Sequence, residues 1–219
     1  MEEQNQSLQT LKDIKSMMER SSRFISLSGL SGIAAGICAL IGAFFAYDVV
    51  MASDKNFFTE LDYHRGTRVL SPREFMGSKL LQIGALTFIA AFGLAFLFTY
   101  LKSRKTKIPI WGPSAKRVMI NVCIPMVAGG LYLLRNMQLG NFGLIAPGCL
   151  IFYGLALVNA SKYTLPELRY LGYGQIVLGI INCWSIGNGL YFWAAGFGLP
   201  HIIYGSYMWW KYERKPAEA

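Results

Sequence analysis

The sequence predicts an all-α membrane protein, a polytopic bundle of six transmembrane helices with both termini in the cytoplasm. Only 15% of its 219 residues are charged, whereas about a quarter is usual in soluble domains. Its apolar residues are gathered in six runs, each close to the length of about 20 residues that crosses a bilayer. The predicted spans are 25–47, 78–101, 117–135, 142–160, 170–187 and 189–210.

The positions of Lys and Arg predict the orientation, because short cytoplasmic loops carry an excess of these residues. With the N-terminus inside, the cytoplasmic segments are 1–24, 102–117, 161–169 and the C-terminal tail, and they hold 15 of the 21 basic residues. Merging the last two spans would move the basic tail outside, so six spans fit better than five. The net charge of +9 therefore indicates a lipid bilayer as partner rather than nucleic acid.

The segment 1–24 is predicted to be a basic amphipathic helix that leads into the first span. Leu8, Leu11, Ile14 and Met18 form one apolar stripe. Such helices commonly lie on anionic bilayer surfaces, so anionic lipid headgroups are a predicted partner. Packing against the bundle is an alternative, and a coiled coil is disfavoured because the stripe is short. A cleaved signal peptide is also disfavoured, because this polar segment is too long for one.

The first span carries its small residues on one helical face. In lipid, small residues let helix backbones approach closely, and dispersion contacts then stabilise the pair. We expect this face to pack within its own bundle, with a homo-oligomer through the first helix as the alternative. The predicted small face consists of Ser28, Gly32, Ala35, Gly36, Ala39, Gly42 and Ala43.

Turn and capping residues mark the later spans. Trp111 precedes the third span, and residues 164–167 (Thr-Leu-Pro-Glu) have capping-box spacing before the fifth. Gly-Asn-Gly at 187–189 predicts a tight turn between the fifth and sixth spans. Aromatic residues followed by basic ones end the sixth span, as is typical of a membrane interface. These aromatic residues are Tyr207, Trp209, Trp210 and Tyr212.

The best candidate for a polar ligand site combines the fifth and sixth spans. Gln175 and Asn182 share a face of the fifth helix, and His201 and Tyr204 lie on the sixth, after Pro200. Interrupted helices with polar residues occur at transporter sites. The alternative is that these groups form interhelical hydrogen bonds that only hold the bundle together.

Other chemistry is sparse. No Asp or Glu lies in a predicted span, which disfavours proton-coupled transport. Glu60, Asp62 and His64 alternate in the outer loop 48–77 and would share one side of an extended chain, although neighbouring arginines favour surface ion pairs. No catalytic or nucleotide-binding motif is present, and the four cysteines lack metal or disulfide spacing. We therefore predict no catalytic residue, no metal and no cofactor.

The segments LVNASKYTLPELRYLG and GLYFWAAGFGLPHIIYG resemble a group of uncharacterised bacterial inner-membrane proteins. The resemblance covers roughly the C-terminal third of the chain. It implies a bacterial inner membrane and assigns neither an activity nor site residues.

Three functional hypotheses follow. The first is a non-enzymatic membrane protein with an association or regulatory role, based on the small face, the basic N-terminal segment and the lack of intramembrane acids. The second is a transporter or channel for a small neutral or weakly polar solute, with a site between the fifth and sixth helices. The third, an enzyme, rests only on His64 and His201 and is the least favoured.

Overall fold

A computed structural model describes residues 28–52, 79–107, 110–139 and 141–214. Within these ranges all regular secondary structure is helical, which confirms the all-α prediction. The N-terminal segment 1–24 and the Glu60, Asp62 and His64 group lie outside the described residues. The helices are α1 (Gly29–Ala52), α2 (Lys79–Thr106), α3 (Pro113–Gln138), α4 (Ile145–Ala160, after a 3-10 turn at Phe142–Leu144), α5 (Leu168–Cys183), α6 (Gly189–Phe197) and α7 (Leu199–Tyr212).

Four stretches of helix are long and apolar enough to cross a membrane. They are Gly29–Val50 in α1, the whole of α2, the whole of α3, and Phe142–Ala160. The remaining helices are shorter, with 16 residues in α5, 9 in α6 and 14 in α7. At about 1.5 Å per residue, α5 is about 24 Å long.

Proline and glycine explain two helix boundaries. Pro113 opens α3 after the extended residue Gly112, because proline lacks the N–H that the first turn would leave unbonded anyway. Gly198 separates α6 from α7, two residues before Pro200. The predicted sixth span is therefore two helices in succession.

The predicted capping box before α5 is wrong. The residue preceding the helix is Glu167, and no side chain caps the helix N-terminus. The Glu167 carboxylate instead accepts hydrogen bonds from Lys211 Nζ at 2.6 Å and Tyr212 Oη at 2.9 Å. The carboxylate therefore pairs with a cation that is distant in the sequence.

The helices pack in a chain of neighbours. Helix α2 packs on α1, α1 on α7, α4 on α5, and α3 on α4, while α6 contacts α1 and α4. Helices α4 and α5 cross with their backbones in close contact. A Cβ built on Gly154 would lie 2.7 Å from the carbonyl oxygen of Gly172, and one on Gly172 would lie 2.8 Å from that of Gly154.

One end of the bundle is strongly basic, and we call it the basic end. It contains the start of α1, the end of α2, the start of α3, the α4–α5 turn and the end of α7. Of the described Lys and Arg residues, only Lys79 and Arg135 lie at the opposite end. Those at the basic end are Lys102, Arg104, Lys105, Lys107, Lys116, Arg117, Lys162, Arg169, Lys211 and Arg214.

Candidate functional site

The small face of α1 lies against two other helices of the same chain. A Cβ on Gly32 would lie 3.1 Å from Gly205 Cα, and one on Gly36 would lie 2.7 Å from the Gly198 carbonyl oxygen, so this part of the face meets α7 and the break before it. A Cβ on Gly42 would overlap the side chain of Thr87 in α2.

The remaining predicted members of the small face divide by exposure. Ala39 and Ala43 are 5% and 8% exposed, and Ser28 is 6% exposed, whereas Ala35 is only partly buried. The large residues on the other side of α1 are outward: Ile37, Ile41 and Phe44 are exposed. Helix α1 therefore buries its small residues inside the bundle and exposes its bulky apolar residues on the outer surface.

Gln175 and His201 meet at a single backbone carbonyl, that of Gly196. Gln175 Nε2 donates to this oxygen at 2.5 Å, and His201 Nδ1 lies 3.3 Å from it. The other ring nitrogen, His201 Nε2, lies 2.8 Å from the Tyr153 hydroxyl. We call Tyr153, Gln175, Gly196 and His201 the Gly196 cluster, and it connects α4, α5, α6 and α7.

Pro200 explains why this carbonyl needs side-chain donors. In a continuous helix the Gly196 carbonyl would accept from the N–H four residues later, but residue 200 is proline and has none. An unbonded carbonyl inside a bundle is costly, and Gln175 and His201 supply the missing donors. Because a carbonyl only accepts, His201 carries its proton on Nδ1, which leaves Nε2 to accept from Tyr153.

The other two predicted site residues lie elsewhere. Asn182 is fully buried near the end of α5, where its Nδ2 donates to the Ser185 carbonyl at 3.1 Å. Tyr204 packs beside the apolar residues Leu157 and Leu171 nearer the basic end. The structure thus brings Gln175 and His201 together but not all four residues.

Three buried oxygens near these residues have no hydrogen-bond partner among the described residues: Gln175 Oε1, Asn182 Oδ1 and the Tyr204 hydroxyl. Gln175 Oε1 lies close to Gly196, since a Cβ on Gly196 would be 2.8 Å from this oxygen. A weak Cα–H···O contact is the interaction that this position permits.

The two acids of the basic end are both engaged. Glu213 Oε1 accepts from the Gly29 backbone N–H at 2.6 Å and from Lys102 Nζ at 3.1 Å, and Ser28 Oγ donates to its other oxygen at 3.3 Å. A carboxylate at a helix N-terminus is favoured by the unbonded N–H groups and the helix dipole. Glu213 therefore ties the end of α7 to the start of α1 and to α2.

Glu167 forms the second ionic contact. Partial burial raises the pKa of its carboxyl, but hydrogen bonds from Lys211, its own backbone and Tyr212 outweigh this, so the pKa lies below the ordinary value. Because the Lys211 side chain is 43% exposed, water screens the pair, and its main role is to orient α7 against the α4–α5 turn.

Sequence reasoning missed Gly205, Gly198, Tyr153 and Glu213. A signal for two of them was present, since Gly198 and Gly205 are seven residues apart and therefore lie on one helical face. Glu213 gave no such signal, because its partners are distant in the chain.

The described residues contain no group of three or more His, Cys, Asp or Glu side chains placed to hold a metal ion. The Gly196 cluster offers an imidazole and an amide, both already committed to one carbonyl. Comparison with known protein families, with curated proteins and with solved structures finds no match to this chain.

Proposed function

We propose that the protein is a six-span protein of the bacterial inner membrane, with both termini in the cytoplasm and a non-enzymatic association or regulatory role. Four helices already have the length and hydropathy of spans. The fifth span would be α5 with its flanking turn residues. The sixth would be α6 and α7 together, which with Gly198 cover 189–212 and provide about 36 Å, enough for a hydrocarbon core of about 30 Å.

The charge asymmetry between the two ends is the observation that carries this proposal. Nearly all described basic residues share one end, as expected for the cytoplasmic side of a membrane protein. Internal polar groups support a structural rather than catalytic use, because the Gly196 carbonyl already receives both side-chain donors that reach it.

Cysteine labelling tests the topology. In a chain whose four native cysteines are replaced by serine, Asn188→Cys samples the α5–α6 turn, and Lys107→Cys and Arg214→Cys sample the basic end; all three positions are exposed. In intact spheroplasts, a membrane-impermeant maleimide is expected to label Asn188→Cys alone. After permeabilisation all three should react.

The reverse pattern would overturn the orientation. Labelling of Arg214→Cys without labelling of Lys107→Cys would instead show that α6 and α7 do not form a sixth span. The unaltered protein serves as the expression control, because each variant must reach the membrane in an equal amount.

The structure directs the association role away from α1. The predicted small face is occupied by α7 and α2 of the same chain, so a homo-oligomer through α1 would compete with the fold. We expect Gly32→Leu and Gly36→Leu to unfold the protein rather than to dissociate an oligomer. A monomeric, folded double variant that replaces an oligomeric parent, measured by light scattering in detergent, would contradict this.

A second candidate, a transporter for a small neutral or weakly polar solute, is favoured by the unpartnered Gln175 Oε1 beside an interrupted helix. Proteoliposomes should then take up glycerol or urea faster than empty liposomes, and Gln175→Leu should abolish the difference. Equal rates with and without the protein would remove this candidate for these two solutes.

A further inference from the structure

Five basic side chains at the ends of α2 and α3 are exposed and lie in a segment that contains no acid. The segment 102–117 has no Asp or Glu, and its exposed basic residues are Arg104, Lys105, Lys107, Lys116 and Arg117. Trp111, which is 65% exposed, lies between the two groups. Tryptophan is enriched at the membrane–water interface, so this segment has the composition that is typical of residues at the level of the lipid headgroups.

No acid of the described chain is left to neutralise this patch. At the basic end the described acids are Glu167 and Glu213, and these bind Lys211 and Lys102 respectively. The start of α3 adds to the positive potential, because it has neither a side-chain cap nor an acid in its first turn. The five exposed cations of the patch are therefore available to an anion from outside the described chain.

The helices that carry the patch do not pack extensively on each other. Helix α2 packs on α1 and α3 packs on α4, and no packing interface joins α2 to α3. Their linked ends are seven residues apart, Thr106 to Pro113, which limits their separation to about 25 Å. Packed helices are about 8–10 Å apart. The distance between the end of α2 and the start of α3 therefore lies between about 10 Å and about 25 Å.

The sides of both helices are apolar where they face away from their neighbours. Phe88, Phe92 and Phe96 on α2 are 50% or more exposed, as are Ile124 and Leu131 on α3. None of the apolar window of α2 is buried by the protein. In a bilayer, acyl chains cover such surfaces.

We infer that the ends of α2 and α3 bind the headgroup of an anionic phospholipid, whose acyl chains run along these two helices. The headgroup phosphate would accept from the Arg and Lys side chains, with the guanidinium groups able to bind it bidentately. This inference rests on the proposed membrane location. It does not depend on which side the basic end faces, so the labelling experiment above tests orientation separately.

Lipid retention tests the inference. The purified full-length protein is mixed in detergent with phosphatidylglycerol or phosphatidylcholine, and bound lipid is counted by native mass spectrometry. We expect preferential retention of phosphatidylglycerol. Each basic residue near an anionic surface contributes about fivefold in binding, so Arg104→Gln, Lys107→Gln and Arg117→Gln together should lower the apparent affinity by at least about tenfold.

A matched control removes the same charges from the same end. Lys162→Gln, Arg169→Gln and Arg214→Gln also replace one lysine and two arginines, all exposed. The first variant loses one contact of an arginine with an aromatic ring, that of Arg104, and the control loses two, those of Arg169 and Arg214, so a general loss of such contacts would affect the control at least as much. The control should retain phosphatidylglycerol as the unaltered protein does.

Several outcomes would overturn the inference. These are equal retention of the two lipids by the unaltered protein, equal losses in the two triple variants, and unchanged retention in the first variant. Added glycerol phosphate should not compete, because it lacks acyl chains; competition would indicate an anion site without lipid. Salt dependence measured on the unaltered protein does not rely on the folding of any variant, and retention that is insensitive to salt would also overturn it.

Discussion

Replacing Gly205 with alanine places a methyl group inside the contact between α1 and α7. A Cβ at this position would lie 2.6 Å from the carbonyl oxygen of Gly29 and 2.6 Å from the backbone nitrogen of Ile33. Both are backbone atoms of a regular helix, so neither can rotate away. The two helices would have to separate by roughly 1 Å to restore ordinary contact distances.

The cost follows from the dispersion contacts that such a separation weakens. A gap of about 0.5–1 Å forfeits about a quarter to a half of each contact, and each contact contributes about 0.1–0.2 kcal/mol. If about 50 atom pairs are affected, as around one large buried side chain, the loss is about 2–3 kcal/mol. Overpacking in protein interiors has a similar cost of about 1–3 kcal/mol.

Unfolding in mixed micelles measures this loss. The folded fraction is followed by circular dichroism as the mole fraction of sodium dodecyl sulfate rises, and the free energy of unfolding is compared with that of the unaltered protein. Gly93→Ala in α2 and Gly130→Ala in α3 are matched controls, because a Cβ at either position meets nothing within 4 Å. These controls should be neutral or slightly more stable, since alanine favours helix over glycine by about 0.5–1 kcal/mol.

Equal stability of Gly205→Ala and the two controls would refute the reasoning. It would mean that α1 and α7 are not in close backbone contact at Gly205. A loss of stability in all three variants would equally contradict it, because the controls share the substitution but not the contact.

The remaining predictions concern the Gly196 cluster and the basic end. Gln175→Leu should lower the free energy of unfolding by about 1 kcal/mol in the same titration, since interhelical hydrogen bonds in membranes average about 0.6 kcal/mol and reach about 1.7. Adding His201→Phe should cost more than the sum of the single changes, because only the double variant leaves the Gly196 carbonyl without a side-chain donor; simple additivity would contradict this. The folded-state pKa of Glu167 lies below its unfolded value, so its contribution to stability is fully present above the unfolded-state pKa and is lost as pH falls through the folded-state pKa. The difference in thermal midpoint between the unaltered protein and Glu167→Gln, measured at several pH values, should therefore shrink on acidification, and a constant difference would argue against the pairing with Lys211.

The sequence was sufficient to predict the helical fold because a bilayer imposes strong constraints on composition. Long uncharged runs and the small face of α1 are visible as periodic patterns. The partner of that face is not visible, because glycines also line α5, where Gly172 and Gly179 contact α4 instead. The three-dimensional arrangement of the helices determines which glycine-lined faces pack against each other.

For the polar site, too, the sequence predicts one part of the arrangement and not the other. Pro200 alone implies that the carbonyl of Gly196 loses its helical donor, so a free acceptor at that position could have been predicted. That Gln175 and His201 would supply the donors depends on how α5 meets α6. The prediction of a capping box failed for a related reason. Glu167 binds a cation 44 residues away, and local spacing carries no information about such a partner.

The contact between α1 and α7 joins the first and last described helices, and it therefore constrains synthesis. When Gly32 is synthesised, Gly205 is still 173 residues from being made. At about 5–20 residues per second, α1 waits roughly 10–35 s for its partner. Through that interval Gly32 and Gly36 lack the partner that covers them in the folded protein, and a chain that stops before α7 keeps them exposed. This surface of α1 therefore differs between a chain that contains α7 and one that stops before it.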